Sequence, residues 1–124
     1  MFKKEFSIYK NGTKNVLVIA GIHGNELTSV YATMELEKAL EKYILINNQD
    51  IRKITIINFA NQEAINTYQK NYNFFDLNKD FSIERKPENK LTVEIIEEIK
   101  KHDIIIDTHT YGTKFLTRNI ISIN

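Results

Sequence analysis

Residues 16–20, Val-Leu-Val-Ile-Ala, are apolar at every position rather than at every second one. A strand with one wet face alternates, whereas an unbroken apolar run is what a strand covered on both faces requires. The chain therefore needs a sheet with helices on both sides. The run Ile104-Ile105-Ile106 supplies a second interior strand. Between them Leu27, Val30, Tyr31, Met34, Ala39 and Leu40 recur at near-helical spacing among Glu and Lys, which predicts an amphipathic helix over 27–42.

The remaining elements follow from the same patterns. Residues 5–9 alternate and lead into Asn11-Gly12, a pair that tolerates positive φ, which predicts a hairpin onto 16–20. A strand is expected over 53–59 and a short helix over 62–68. A second long helix is expected over 88–102, on Leu91, Val93, Ile95, Ile96 and Ile99, with Pro87 suited to its start. The buried strand at 103–109 follows, then a turn at Tyr111-Gly112 and a last strand over 115–123. Residues 69–87 hold many Asn, Lys and aromatic residues without a period, and an irregular stretch of that length in a compact domain usually carries function. The result is an α/β fold, a mostly parallel mixed sheet with helices on both faces and right-handed crossovers.

At 124 residues, with 42% hydrophobic and 27% charged positions, one domain over 1–124 is expected. A chain of that length buries about two-thirds of its unfolded surface. Net charge is +1, from 17 basic and 16 acidic residues, so no electrostatic footprint for nucleic acid or an acidic membrane exists and small partners are expected. Cysteine is absent, which removes disulfides and thiolate metal sites and leaves imidazole and carboxylate as the available ligands. The first residues lack an apolar signal region and no stretch approaches the roughly 18 apolar residues of a membrane span, so a cytoplasmic location is the expectation.

Directly behind the first buried strand stands Gly21-Ile22-His23-Gly24-Asn25-Glu26. A strand delivers a His to the rim of the sheet, glycines allow the backbone to turn, and a Glu follows where a helix begins. His109 ends the second buried strand. Ligands of open α/β sheets bind at the carboxyl ends of strands, so both imidazoles belong to one rim. Two His and one Glu form a common zinc set in hydrolases, with the fourth position left for the reacting water. The plainer alternative makes His23 a loop residue and Glu26 an acid complementing a helix dipole. Asp107, two residues before His109, projects to the same side of an extended strand. It either accepts the free ring N–H of a ligand His or satisfies backbone donors at the strand end. His102 follows Lys100 and Lys101 at a helix end, where a partly positive ring suits the dipole and no site role is needed.

Three motifs in order, Gly-Ile-His-Gly-Asn-Glu at 21–26, Asp76-Leu77-Asn78-Lys79-Asp80-Phe81, and Ile106-Asp107-Thr108-His109, resemble the zinc carboxypeptidase-like family of succinylglutamate desuccinylases and aspartoacylases. The resemblance runs from about residue 16 to the end of the chain. It implies one zinc ion held by His23, Glu26 and His109, and a substrate carboxylate gripped by Asn78 and Lys79. It also implies a pocket bordered by the ring-bearing segment 71–75. The implied reaction is hydrolysis of the amide bond of an acidic N-acyl amino acid or a peptide terminus. Three departures stand out. Lys79 replaces a family Arg, keeping charge but losing the planar fork. A second family Arg, associated with the scissile carbonyl, falls near Asn71, where Lys70 offers the nearest positive charge. The family's general-base Glu comes from a strand beyond the third ligand, so no base is assigned within these residues, Glu63 and Glu84 being the carboxylates of the variable region. The chain thus matches the N-terminal half of a zinc carboxypeptidase-like catalytic domain, a truncated form. A metal-binding module with impaired catalysis and a fragment of a longer hydrolase stand as alternatives. An apolar last strand with an open edge also leads to an expectation of self-association.

Overall fold

A computed structural model describes residues 1–42, 49–111 and 116–123. Five strands, β1 (Lys4–Ser7), β2 (Lys14–Ile19), β3 (Ile51–Ile57), β4 (Ile104–Tyr111) and β5 (Leu116–Ile123), form one sheet in the order β1-β3-β2-β4-β5. The centre is parallel, β3 and β4 each pairing with β2, and both outer pairs, β1 with β3 and β4 with β5, are antiparallel. This is the mixed α/β sheet expected from the apolar runs. The turn expected at Tyr111-Gly112 lies partly outside the described residues.

Burial explains why β2 is apolar throughout. Leu17 and Ile19 join Ile57, Ile95 and Ile105 in a core packed by Leu91 and Ile99 of α3 (Lys90–Ile99). Val16 and Val18 join Ile54, Ile56 and Leu40 on the opposite face, beneath α1 (Leu27–Lys42). The chain leaves β2, returns through α1 to β3 on one side, then crosses through α3 to β4 on the other side. Crossovers of one hand running in opposite directions put their helices on opposite faces, and the crevice where they diverge opens at the carboxyl ends of β2 and β4.

The hairpin expected between residues 5–9 and 16–20 does not form. β1 pairs with β3, in register Lys4↔Ile56 through Ser7↔Lys53. The segment carrying Asn11-Gly12 instead crosses the amino end of β3. Ile8 N–H donates to Arg52 O at 2.9 Å before the turn, and Thr13 and Lys14 N–H both donate to Asp50 O at 2.9 Å after it. Both edges of β2 are taken by parallel partners, which leaves β1 only the outer edge of β3.

Two helices also differ in detail from their patterns. On α1 the buried stripe is Ser29, Val30, Thr33, Glu37 and Leu40, while Tyr31, expected on the apolar face, is 61% exposed. Glu37 is tolerated because Asn58 donates to it at 2.5 Å and Lys4 pairs with it at 3.3 Å. α3 is capped by Asn89, whose side chain accepts from Leu91 N–H at 2.9 Å, so Pro87 stands ahead of the cap rather than in the first turn. His102 is buried, its Nδ1–H donating to Glu98 O at 2.7 Å and its Nε2 meeting the Thr55 hydroxyl at 2.9 Å. It is a structural residue on the α3 face of the sheet.

The irregular stretch is anchored by a buried charge. Asp80 is fully buried and accepts from the backbone N–H groups of Glu88 and Asn89, each at 3.0 Å, and from Arg85 at 3.0 Å. Burial alone would raise its pKa. Those donors overcome it and hold the carboxyl well below the ordinary range. Because the folded pKa is depressed, the stabilisation is present above the unfolded value and is lost as pH falls toward the folded one. Asp80→Ala is expected to lower unfolding free energy by about 2–3 kcal/mol. It should also flatten the loss of stability below about pH 4; denaturant titrations at pH 7 and pH 3 measure both.

Candidate metal centre

The site begins with two glycines. Gly21 has φ +81°, a left-handed turn that swings the chain off the end of β2. Gly24 passes so close to Ala64 of α2 (Gln62–Asn66) that a Cβ there would collide with the Ala64 carbonyl group. Gly24 N–H donates to Lys70 O at 3.2 Å and Asn61 N–H to Gly21 O at 2.8 Å, so the loop is laced to the segment after β3. His23 is thereby placed on the rim, buried, and Glu26 immediately precedes α1.

His109 reaches the same point from β4. It lies inside an eight-residue strand rather than past its end. Pairing with β2 stops at Ile19↔Asp107, so His109 overhangs the crevice that β2 leaves open. The two imidazole rings are 5.1 Å apart at 62°.

Glu26 is the centre of the arrangement. One carboxylate oxygen contacts His23 Nδ1; the other lies 3.2 Å from His109 Nδ1 and accepts Thr110 N–H at 2.8 Å. Ligand atoms of His23, Glu26 and His109 all lie within 4.8 Å of one another. The far nitrogens are held by separate aspartates. His23 Nε2–H donates to Asp76 Oδ1 at 3.0 Å, and His109 Nε2–H to Asp107 Oδ2 at 3.0 Å. Each ring is thus fixed with its Nδ1 toward the shared carboxylate, the orientation a cation at that point requires. Of the two roles open to Asp107, ring orientation is the one the geometry shows.

The charges support one another. Asp107 first, then Glu26, raise the His109 pKa to about 10 against the opposing effect of burial. Burial would lower His23, but Glu26 and Asp76 raise it. Burial would likewise raise Glu26, yet the two imidazoles and Thr110 N–H bring it to about 2. Asp76 is also lowered, burial being outweighed by His23, Asn78 N–H and Lys70. The cluster sets three carboxylates around two imidazoles, and its inner His23, Glu26 and His109 form a group that could hold a metal ion. Its donor types, two imidazole nitrogens and a carboxylate, suit zinc.

Above this cluster lies a cavity of about 740 Å³, bordered by His23, Glu26, Tyr31, Tyr68, Lys70 and Lys79, with Asn25, Asp76, Asn78 and Thr110 also lining it. Asn78 and Lys79 sit on a 3-10 turn (Leu77–Asp80) whose Leu77 is buried, so both are exposed toward the cavity. Asn71 is not among its walls. It borders a separate cavity of about 280 Å³ with Gln69, Asn73 and Phe74, because a tight turn, with Asn73 at φ 52° and Phe74 at φ 60°, carries 71–75 away from the rim. Glu63 lines yet another cavity and Glu84 is exposed, which places neither at the cluster.

Sequence reasoning missed Asp76 as the anchor of His23, although an Asp ahead of a short helical turn is a capping signal. Its Oδ1 does accept Asn78 N–H at 3.1 Å. Thr110 contributes only its backbone N–H, which no side-chain pattern reveals.

An open, parallel-centred α/β sheet with a His, Glu, His cluster at its switch-point rim defines the class of domain. Residues 12–124 match the succinylglutamate desuccinylase/aspartoacylase catalytic domain, and the chain belongs to that family. Similar solved structures include a succinylglutamate desuccinylase from Chromobacterium violaceum, at 24% identity and TM-score 0.60, over 82% of this chain and 35% of that one. An aspartoacylase family protein from Mesorhizobium loti matches at 21% and 0.60, over 87% and 34%. A succinylglutamate desuccinylase/aspartoacylase from Rhodobacter sphaeroides matches at 19% and 0.61, over 84% and 32%. The chain spans about a third of the length of these structures, which share its fold. No curated protein matches it in sequence. Among the described residues no helix is long and apolar enough to cross a membrane.

Gly24→Ala is expected to displace the His23 loop from Ala64. The overpacking should cost at least about 2 kcal/mol, and loss of the His23 ring signal's contact to Asp76 by NMR, with a lowered unfolding midpoint, is the readout.

Proposed function

We propose that the chain carries the metal centre of a hydrolase that cleaves the amide bond of an N-acyl amino acid, with one zinc ion held by His23, Glu26 and His109. One observation carries this reading: two imidazole Nδ1 atoms converge on one carboxylate while each Nε2 is occupied by its own aspartate. A structural histidine has no need of such paired orientation. A cation held by His23, Glu26 and His109 would supply Lewis acidity toward the amide carbonyl and would lower the pKa of a water toward neutrality.

The protein's own groups divide the rest of the work. Lys79 has no carboxylate partner among the described residues and faces the cavity, so its ammonium attracts the substrate carboxylate as a point charge. Asn78 adds an amide beside it. Lys70, 3.8 Å from Asp76, helps hold that aspartate ionised against His23. The cavity's carboxylates, Glu26 and Asp76, are both engaged by imidazoles. The group that takes the proton from the attacking water is therefore proposed to lie beyond the described residues. On this reading the chain's own residues do the metal-holding part of the hydrolytic work.

Elemental analysis of purified protein tests the site. About one zinc per chain is expected in the wild type and none in His23→Ala or His109→Ala. Asp107→Asn and Asp76→Asn should each weaken zinc binding by about 10–100-fold without removing a ligand. A folded wild type that takes up no zinc on reconstitution would overturn the reading.

A further inference from the structure

The cavity above the His23, Glu26 and His109 cluster carries ring surface as well as charge. Tyr31 and Tyr68 both line it, 61% and 65% exposed respectively. Tyr31 stands off the buried stripe of α1, so packing does not hold it there.

Tyr68 is held in a conformation that works against its side chain. It follows Thr67, the C-cap of α2, with φ 53°, in the left-handed region. Its N–H donates to Ile65 O at 3.0 Å, and Gln69 N–H donates to Ala64 O at 3.1 Å. This is the two-bond helix termination in which glycine is the usual residue at the left-handed position. A bulky residue there is strained, and strain that a glycine would relieve is a pointer to a role for the side chain.

Charge narrows what that ring meets. Of the two lysines on the cavity, Lys70 is 3.8 Å from Asp76, and Lys79 has no carboxylate partner among the described residues. One unengaged ammonium matches one carboxylate. Among the described residues the other charged side chains that line the cavity besides lysine and His23 are the carboxylates of Glu26 and Asp76, so a second carboxylate on the ligand finds no second unpaired lysine there.

We propose that Tyr68, with Tyr31, is a specificity residue that stacks on the side chain of the substrate, which is an N-acyl amino acid bearing an aromatic ring and a single carboxylate. This deepens the hydrolase reading and rests on it. The carboxylate meets Lys79, the acyl amide faces the metal cluster, and the ring lies against tyrosine. Offset or edge-on ring contacts of this kind contribute beyond their area, and tyrosine provides them with few rotatable bonds to freeze.

Calorimetric titration of zinc-loaded protein with N-acetyl-phenylalanine, N-acetyl-alanine and N-acetyl-aspartate tests it, with zinc content measured on the same samples. The phenylalanine compound is expected to bind about tenfold more tightly than the alanine compound, and the aspartate compound no better than alanine. Tyr68→Gly should keep one zinc per chain and an unfolding midpoint at or above wild type, yet lose most of that preference. Tyr31→Ala should reduce it as well. Equal binding of phenylalanine and alanine, tightest binding of aspartate, no binding of any of the three, or a preference untouched in Tyr68→Gly would each overturn the proposal. Zinc uptake in those same samples leaves the metal reading standing, whereas its failure removes both.

Discussion

The rim of this molecule depends on one carboxylate that two imidazoles and a backbone amide keep ionised. Glu26 joins two pieces of chain that are remote in sequence, the loop that leads from β2 into α1 and the overhanging end of β4. In a half-dry crevice an unpaired carboxylate would take up a proton. With His23, His109 and Thr110 N–H around it, its pKa is brought to about 2. Its partners gain reciprocally, each imidazole being gripped between Glu26 and its own aspartate. Each residue of the cluster has a second attachment outside it, Asp76 for His23, Asp107 for His109 and Thr110 N–H for Glu26.

Asp76 extends that attachment to the irregular segment. One of its oxygens receives both His23 Nε2–H and Asn78 N–H, so the residue that orients a ring also starts the turn presenting Asn78 and Lys79. Leu77, buried between them, drives the turn into the core, and Asp80 then ties its far end to the first residues of α3. A long stretch without hydrophobic period is therefore ordered by two aspartates and one leucine. Position relative to the His23, Glu26 and His109 cluster follows from hydrogen bonds, which is why composition alone did not reveal it.

Much of the fold was legible because burial on both faces leaves a plain mark. Residues 16–20 and 104–106 had to be interior strands, and the helix over Leu27–Lys42 follows from its period. The hairpin expectation failed because a turn signal says that a chain reverses, not which edge it returns to. The apolar face of α1 was misjudged at Tyr31 because Glu37 could be buried once Asn58 and Lys4 satisfied it. Asn71 was expected at the pocket from the family resemblance, and two successive left-handed residues, Asn73 and Phe74, turn that segment elsewhere.

The sequence by itself determined the sheet's interior strands, the helices that cover them and the two rim histidines. Those features depend on local period and on the rule that parallel strands open their ligand crevice at the carboxyl ends. Tertiary structure decided which nitrogen of each histidine faces inward, that Asp76 rather than a nearer acid anchors His23, and that Tyr68 occupies a glycine position beside the cavity. Each of these is a contact or backbone state set by chain segments brought together only on folding, across 53 positions in the case of His23 and Asp76. Periodicity records which face is buried; it does not record which polar atom meets which.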